Sequence, residues 1–195
     1  RDVMQETAQL LDVLIVGAGI SGIGCAYHIQ KKCSDLSYSI IEARGDLGGT
    51  WDLFKYPGIR SDSDLFTFGY EFKPWKEKKA IADGRSIKAY VEETAAENGI
   101  KEHIRFLTRV VDIDWQSDKH YWRVTLKSEE SGQHEHIAAR WIFNASGYYR
   151  YDKGYAPHFK GQSQFNGQIV HPQHWPEDLD YEGKRVVVIG SGATA

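Results

Sequence analysis

The stretch that decides the fold is DVLIVGAGISGIGCAYHIQ, Asp12 to Gln30. Val13 to Val16 are consecutive branched apolar residues, the pattern of a short strand buried on both faces. Gly17-Ala18-Gly19-Ile20-Ser21-Gly22 follows at once, and the spacing beyond it predicts a helix to about Lys32. The first glycine permits the tight turn, the second lets a pyrophosphate approach the backbone, and the third lets helix and strand pack closely. The first amides of that helix have no acceptors within it, and they attract negative charge. Further out, YSIIEA predicts a second buried strand ending at Glu42, twenty residues after Gly22. An acid at that place accepts ribose hydroxyls. Parallel strands joined by a helix need a right-handed crossover, so the unit is βαβ. A bare glycine-rich turn beside a surface glutamate is the alternative, and it requires four features to coincide by accident.

The 195 residues suffice for one sizeable core, or for one domain and the start of another. Lys and Arg number 24 against 27 acids, a net charge of −3 with no basic block, which argues against a nucleic-acid surface. Cys25 and Cys33 stand eight apart with no CxxC, suiting free thiols in a reducing compartment. RDVMQETAQLL, at the start, carries acids and no apolar core, so it does not read as a secretory signal. The uncharged run Val13 to Tyr27 is too short for a bilayer and is broken by glycines.

GDLGGTWDLFKYPGIRSDSD has turn chemistry throughout and predicts an irregular, ligand-facing loop. GRSIKAYVEETAAENGI places Ile87, Tyr90, Val91 and Ala95 at helical spacing, with Gly99 as the stop. HIRFLTRVVDIDW reads as a strand running into a turn, followed by YWRVTLKS and HEHIAARWIFNAS around a SEESGQ turn. These three strands predict a meander lying over the parallel sheet, with RWIFNASG returning to that sheet. KRVVVIG then predicts another buried strand. It leads into a second turn, Gly190-Ser191-Gly192-Ala193-Thr194-Ala195, 173 residues after the first. Two such turns suggest two dinucleotides. The fold class is therefore α/β.

FNGQIVHPQHWP, Phe165 to Pro176, is too interrupted for a helix and too polar for a central strand. His171 and His174 are three apart, but Pro172 opposes a helix and no Cys or acid completes a metal set. No nucleophile elbow accompanies them. What remains is a linker stiffened by Pro172 and Pro176. In it His171 either bonds the crossing backbone or is an ordinary satisfied loop histidine.

The first turn, GGTW (Gly48–Trp51), YPGIRSDSD (Tyr56–Asp64), NASGYY (Asn144–Tyr149) and FNGQIVHPQHWP occur in this order. The combination resembles the flavin-dependent class B monooxygenases. Phe165, Gly167, His171, Trp175 and Pro176 match the F-x-G-x-x-x-H-x-x-x-W-P fingerprint of the type I Baeyer–Villiger branch. Within that branch the chain is most similar to the ethionamide-activating monooxygenases, and the resemblance runs from about Leu11 to Ala195.

The resemblance implies a two-dinucleotide flavoprotein. A Rossmann-like FAD-binding domain with its β-meander is expected over residues 11–150 and an interdomain linker over 151–183. The first strand and glycine turn of a second Rossmann-like, NADPH-binding domain are expected over 184–195. Carried over by motif, Gly17, Gly19, Ser21 and Gly22 hold the FAD pyrophosphate and Glu42 its ribose. Gly49, Thr50, Trp51, Asp52 and Leu53 line the flavin side, and the Val110 backbone pairs with adenine. Arg60, Ser61 and Asp62 lie between flavin and nicotinamide, and Ile189, Gly190, Ser191, Gly192, Ala193, Thr194 and Ala195 meet NADPH. Asp62 is the expected electrostatic partner near the flavin, although SDSD also suits a helix cap. Trp51 is either a flavin contact or core filler. His171 couples nicotinamide binding to domain movement.

The implied reaction reduces the flavin with NADPH, adds O2 at C4a, and passes one oxygen to a ketone or to a thioether or thioamide sulfur. The family's active-site arginine belongs to a later segment, so these residues alone are expected to bind FAD at most. Two rivals stay open: the S- and N-oxygenating flavin monooxygenases, which share both glycine turns, and a non-catalytic flavin-binding remnant. A disulfide reductase would need a redox cysteine pair after the first helix, and the sequence has none there. The expected location is cytoplasmic, with peripheral membrane contact left open and no anchor in this segment.

Overall fold

Strand β1 (Leu10–Val16) has both Leu14 and Ile15 fully buried. Adjacent strand residues point to opposite faces, so β1 is covered on both sides. The computed structural model describes residues 10–192 and 194–195. On one side of β1 lies helix α1 (Ile20–Lys32). A Cβ on Gly22 would collide with the Gly17 carbonyl oxygen and meet Ile15 Cγ2 at 3.4 Å, so α1 can lie this close only on a glycine. On the other side Leu14 and Ile41 form a core with Val124, Leu126 and Ala139.

β2 (Tyr38–Ile41) pairs parallel with β1, Ile15 opposite Ile40. Short helices α2 (Thr50–Leu53) and α3 (Leu65–Phe68) follow, then α4 (Gly84–Glu97), which ends as expected near Gly99 at φ +59°. β3 (Ile104–Arg105) adds in parallel to β2. β4 (Thr108–Gln116), β5 (Tyr121–Ser128) and β6 (His134–Asn144) form the expected meander. The six strands make one sheet in the order β3-β2-β1-β6-β5-β4. β6 serves twice: His134–Ala139 runs antiparallel to β5, and Ala138–Asn144 runs parallel to β1. RWIFNASG thus returns to the parallel sheet. The meander continues that sheet and also carries Val124 and Leu126 onto Leu14 and Ile41.

Three expectations need correction. HIRFLTRVVDIDW is two strands, because the chain breaks at Phe106-Leu107 between a parallel and an antiparallel neighbour. Leu107 takes φ +50°, held by its amide on Arg44 O at 3.0 Å and by its carbonyl accepting from Glu129 N–H at 2.8 Å. No glycine signals that corner. The run read as wholly irregular holds α2, bridges Arg60 to Asp83 beyond it, and ends on Asp64, the cap of α3. Finally, Lys184–Gly190 is not a buried strand. Among the described residues nothing pairs with it, and Val186 to Ile189 are 62–85% exposed. An apolar run becomes a strand only where neighbours take its backbone hydrogen bonds.

The chain divides into two compact units. One takes residues up to Gly49 and Ala89–Gly147; the other takes Thr50–Lys88 and Tyr148–Ala195. The first holds the sheet and α1. In the second, Leu53, Phe54, Leu65, Trp75, Ala82 and Ile87 are buried. Phe54 meets Tyr149 edge-on at 5.2 Å, and Lys88 pairs with Asp52 at 2.7 Å. No described helix is long and apolar enough to cross a membrane. Cys25 and Cys33 are free, and burial pushes the Cys25 thiol up to about 11.

Asp83 caps α4. Its carbonyl accepts from Ile87 N–H, and its carboxylate accepts from the Ser86 amide and hydroxyl, both at 2.9 Å. Those two bonds, the amide first, hold its carboxyl below the ordinary 3.8. Asp83→Ala should therefore cost about 0.5–2 kcal/mol of unfolding free energy in urea denaturation at neutral pH. A lowered folded pKa means the contribution is complete above the unfolded value and fades as pH falls through the folded one. The gap between wild type and variant should narrow on acidification.

Candidate cofactor site

In the first unit four pieces of chain close on one corner. Gly17 N–H donates to Ile41 O at 2.9 Å, and Ala145 N–H donates to Val16 O at 2.8 Å. Gly48 N–H donates to Ala18 O at 3.0 Å. Glu42 completes the corner from a buried position: Oε2 accepts from Ala18 N–H at 2.8 Å and Oε1 from Arg44 N–H at 2.9 Å. The sequence placed Glu42 beside a ribose; the structure adds that it fastens the turn itself. A carboxylate has about four acceptor sites, so ribose hydroxyls can still be taken. The motif NASG acquires a reason here. A Cβ on Gly17, at φ +105°, would lie 2.6 Å from Ala145 O, so Gly17 and the end of β6 fit only together.

Gly19 is different. It has φ −79°, open to any residue, and a Cβ there would meet nothing nearer than Gly49 Cα at 3.6 Å. Neither conformation nor packing within the chain demands glycine here, since a Cβ would only reach ordinary contact distance of Gly49. Gly19 stands at the start of α1, which has no side-chain cap and no acid in its first turn. Ser21 stands exposed in that turn. An uncapped 13-residue helix with no acid in its first turn fits an anionic pyrophosphate. Gly48 and Gly49, at φ +118° and +57°, bring the end of this stretch of the first unit against the corner, Gly48 through its bond to Ala18 O.

Val110 lies in the same unit, on the sheet-edge strand β4, opposite Leu126. The register slips between Val110 and Asp112, so a bulge opens the ladder at this point. Two residues before Val110, the Thr108 amide donates to Glu42 O at 3.0 Å, which ties the strand to the acid. The bulge was not legible in RVVD.

The second unit holds the other residues read as lining the flavin. Thr50 and Trp51 are half-buried, and Trp51 meets Phe68 edge-on at 6.2 Å. Asp52 and Leu53 are buried, with the Asp52 carboxylate on Lys88. Arg60 is exposed; Ser61 is buried, its amide on Ala82 O at 3.0 Å and its hydroxyl accepting from Ser63 N–H. The cap that SDSD suggested belongs to Asp64, which accepts from Thr67 N–H at 3.0 Å at the start of α3. Asp62 is exposed outside that cap. It lies close enough to Tyr149 to help raise the phenol's pKa, after burial, Tyr148 and Tyr56.

The fingerprint segment also belongs to the second unit. A Cβ on Gly167 would sit 2.5 Å from Phe165 Cζ, so F-x-G is a ring folded over a glycine. The His171 ring covers Gly154 so closely that a Cβ there would strike it. His171 Nδ1 accepts from Gln173 N–H at 3.1 Å, and Nε2 lies 3.1 Å from Tyr155 O. Both ring nitrogens of His171 thus meet backbone groups, an arrangement that suits either sequence reading. Trp175 meets Tyr181 edge-on at 5.8 Å. No three potential metal ligands cluster among the described residues. Gln173, buried within the PQH turn, went unnoticed in the sequence. A polar residue between histidine and tryptophan carries no sign of burial.

Of the second glycine turn, Ala193 lies outside the described residues. Ile189, Gly190, Ser191, Gly192, Thr194 and Ala195 are exposed; Gly190 has φ +153° and Ala195 N–H donates to Gly192 O at 3.0 Å. Tyr56 OH lies 3.4 Å from Thr194 Oγ1.

Comparison with known proteins agrees with this geometry. An NAD(P)-binding Rossmann-like domain profile matches residues 15–75, and a flavin-binding monooxygenase-like profile matches residues 70–195. The chain is 58% identical over 184 residues to the FAD-containing monooxygenase EthA of Mycolicibacterium smegmatis. It is 52% identical over 187 residues to the putative FAD-containing monooxygenase MymA of Mycobacterium tuberculosis. These alignments take 94% and 96% of the chain but only 37% and 38% of the relatives. Among solved structures, OTEMO in complex with FAD and NADP superposes with a TM-score of 0.81 at 32% identity, over 96% of this chain and 36% of that one. Oxidized steroid monooxygenase bound to NADP gives 0.79 at 34%, over 94% and 35%. The profile over residues 70–195 and the corner built by Gly17, Glu42 and Ala145 agree: the chain belongs to the flavin-binding monooxygenase-like family.

Proposed function

We propose that this chain is the N-terminal part of an FAD- and NADPH-dependent monooxygenase that carries out Baeyer–Villiger oxidation. One atom of O2 enters between a ketone carbonyl carbon and its neighbour, giving an ester or lactone. The other atom leaves as water, with the hydride of NADPH and a proton. Oxygen transfer to thioether or thioamide sulfur is a second activity of the same site. The observation that carries the reading is Gly19, a glycine that neither conformation nor packing within the chain requires, at the start of an uncapped helix and beside the turn that Glu42 fastens.

FAD, when bound, supplies the two-electron chemistry and the activation of O2, which the side chains here do not. The chain's own residues bind and orient. Gly17, Gly19, Ser21 and Gly22 hold the pyrophosphate at the start of α1, Glu42 the ribose, and the open backbone at Val110 the adenine. Gly49, Thr50 and Trp51 border the flavin, while Asp52 and Leu53 support that border from inside the second unit. Asp62 sets the charge near the flavin, and Arg60 and Ser61 face the nicotinamide. Residues 151–183 link the FAD domain over 11–150 to an NADPH domain opening at 184. The chain spans only about 37% of its curated relatives, so the complete site includes residues from elsewhere. The Baeyer–Villiger assignment draws on Phe165, Gly167, His171, Trp175 and Pro176 together with the likeness to steroid and cyclohexanone monooxygenases.

Three outcomes are expected of the full-length enzyme. It should purify yellow, its flavin should bleach with NADPH under anaerobic conditions, and a methyl ketone should give an ester by mass spectrometry. Colourless protein that takes up no FAD on reconstitution defeats the reading, whereas sulfoxide from a thioether with no ester assigns the S- and N-oxygenating branch. Glu42→Ala should weaken FAD binding by roughly 10- to 100-fold, because it strips the turn and the ribose of one acceptor; titration of apoenzyme measures it. His171→Ala should retain FAD while slowing NADPH-dependent reduction in stopped flow, and an unchanged rate removes the histidine from domain coupling.

A further inference from the structure

Both ring nitrogens of the fingerprint histidine meet backbone groups. Its Nδ1 accepts a hydrogen from the Gln173 amide, so the ring's own hydrogen is on Nε2 and is donated to Tyr155 O. That orientation is held from both sides, by the turn at Pro172–His174 and by the bare face of Gly154. The Gln173 side chain continues the arrangement. It is 6% exposed, and its Nε2 lies 2.6 Å from Arg150 O and 3.1 Å from Tyr151 O. A carboxamide nitrogen has two hydrogens, and both are taken by successive carbonyls of one strand of chain. Tyr151 then points its hydroxyl to within 3.4 Å of Thr50 Oγ1, the first residue of α2.

All of these residues lie in the second unit. The segment Arg150–Tyr155 is therefore held at both ends by one turn, at Tyr155 through His171 and at Arg150-Tyr151 through Gln173. Arg150 and Asp152 form an exposed ion pair in the same segment. A buried amide that loses its partners is costly to leave unpaired, so the clamp is specific to a side chain of this length and donor count.

We propose that Gln173 and Tyr151 are positioning residues that fasten the fingerprint histidine to the Thr50 end of α2. The inference rests on the functional reading above, which places Thr50 at the flavin and His171 in the nicotinamide-linked hinge. A shift of the linker reaches the flavin border through two carbonyls and one hydroxyl, with no change in the FAD-binding corner of the first unit.

The test uses the full-length holoenzyme with Gln173→Met, which keeps length and removes both donors, and Tyr151→Phe, which removes one hydroxyl. Gln173→Met should keep its FAD yet reduce it with NADPH at least tenfold more slowly. It should also show a changed visible circular dichroism of the bound flavin. Tyr151→Phe should change that dichroism in the same sense, and the double variant should be no slower than Gln173→Met, since both lie on one path. Amide hydrogen exchange without NADPH should be faster at Gly154 and Tyr155 in Gln173→Met. Reduction within twofold of wild type, with unaltered exchange, overturns the proposal; so do strictly multiplicative effects of the two substitutions. If Gln173→Met does not fold, Tyr151→Phe decides the matter: wild-type dichroism and reduction rate in that variant reject it. Wild-type enzyme that NADPH fails to bleach defeats the functional reading, and the exchange comparison still judges the clamp.

Discussion

The hydrogen bond from Ala18 N–H to the buried Glu42 carboxylate is the constraint on which the first unit depends. It joins the end of β2 to the turn after β1, and the second oxygen, on Arg44 N–H, fixes where the chain leaves. A carboxylate removed from water needs such donors, and charge-assisted bonds to backbone amides are among the stronger ones available. In the proposed function the acid that shapes the glycine turn is also the acid placed for the ribose, so folding and binding would draw on one group.

Around that bond the glycines divide by cause. Gly22 is required by a carbonyl under its Cα, and Gly17 by a carbonyl beside it together with positive φ. Gly19 is required by neither. The contrast separates glycines that make the fold from the one the fold does not demand, and it does so without reference to any ligand. It also explains why NASG belongs to the same pattern although it lies far along the sequence: Ala145 O is what Gly17 must avoid.

What the sequence revealed was mostly what periodicity and spacing encode. The βαβ unit, α4, the meander and the return of β6 were legible because buried runs and glycine stops mark them. The corner at Leu107 was not, since a leucine at φ +50° is imposed by Arg44 O and Glu129 N–H from distant sequence. The β4 bulge and the Asp64 cap in place of Asp62 likewise depend on partners that no local pattern reveals. KRVVVIG shows the reverse. Its composition is that of a strand, yet strand formation is a property of neighbours, and the described residues offer it none. Among the site residues, the glycine corner and Glu42 could be read directly. Gln173 and Gly154 could not, because their importance lies in what they touch.

The fingerprint, finally, is better understood as two rings resting on two glycines than as a set of reactive groups. Phe165 lies over Gly167 and His171 over Gly154, so each ring needs a missing side chain beneath it. Pro172 starts the turn that turns the Gln173 amide onto His171 Nδ1, which in turn fixes the hydrogen on Nε2 toward Tyr155 O. A histidine whose two nitrogens are both engaged by backbone has no free position from which to move a proton. Its value to the molecule is orientation: it sets the path of Arg150–Tyr155, and through Tyr151 that path ends at Thr50. The pattern therefore records a geometry within the second unit.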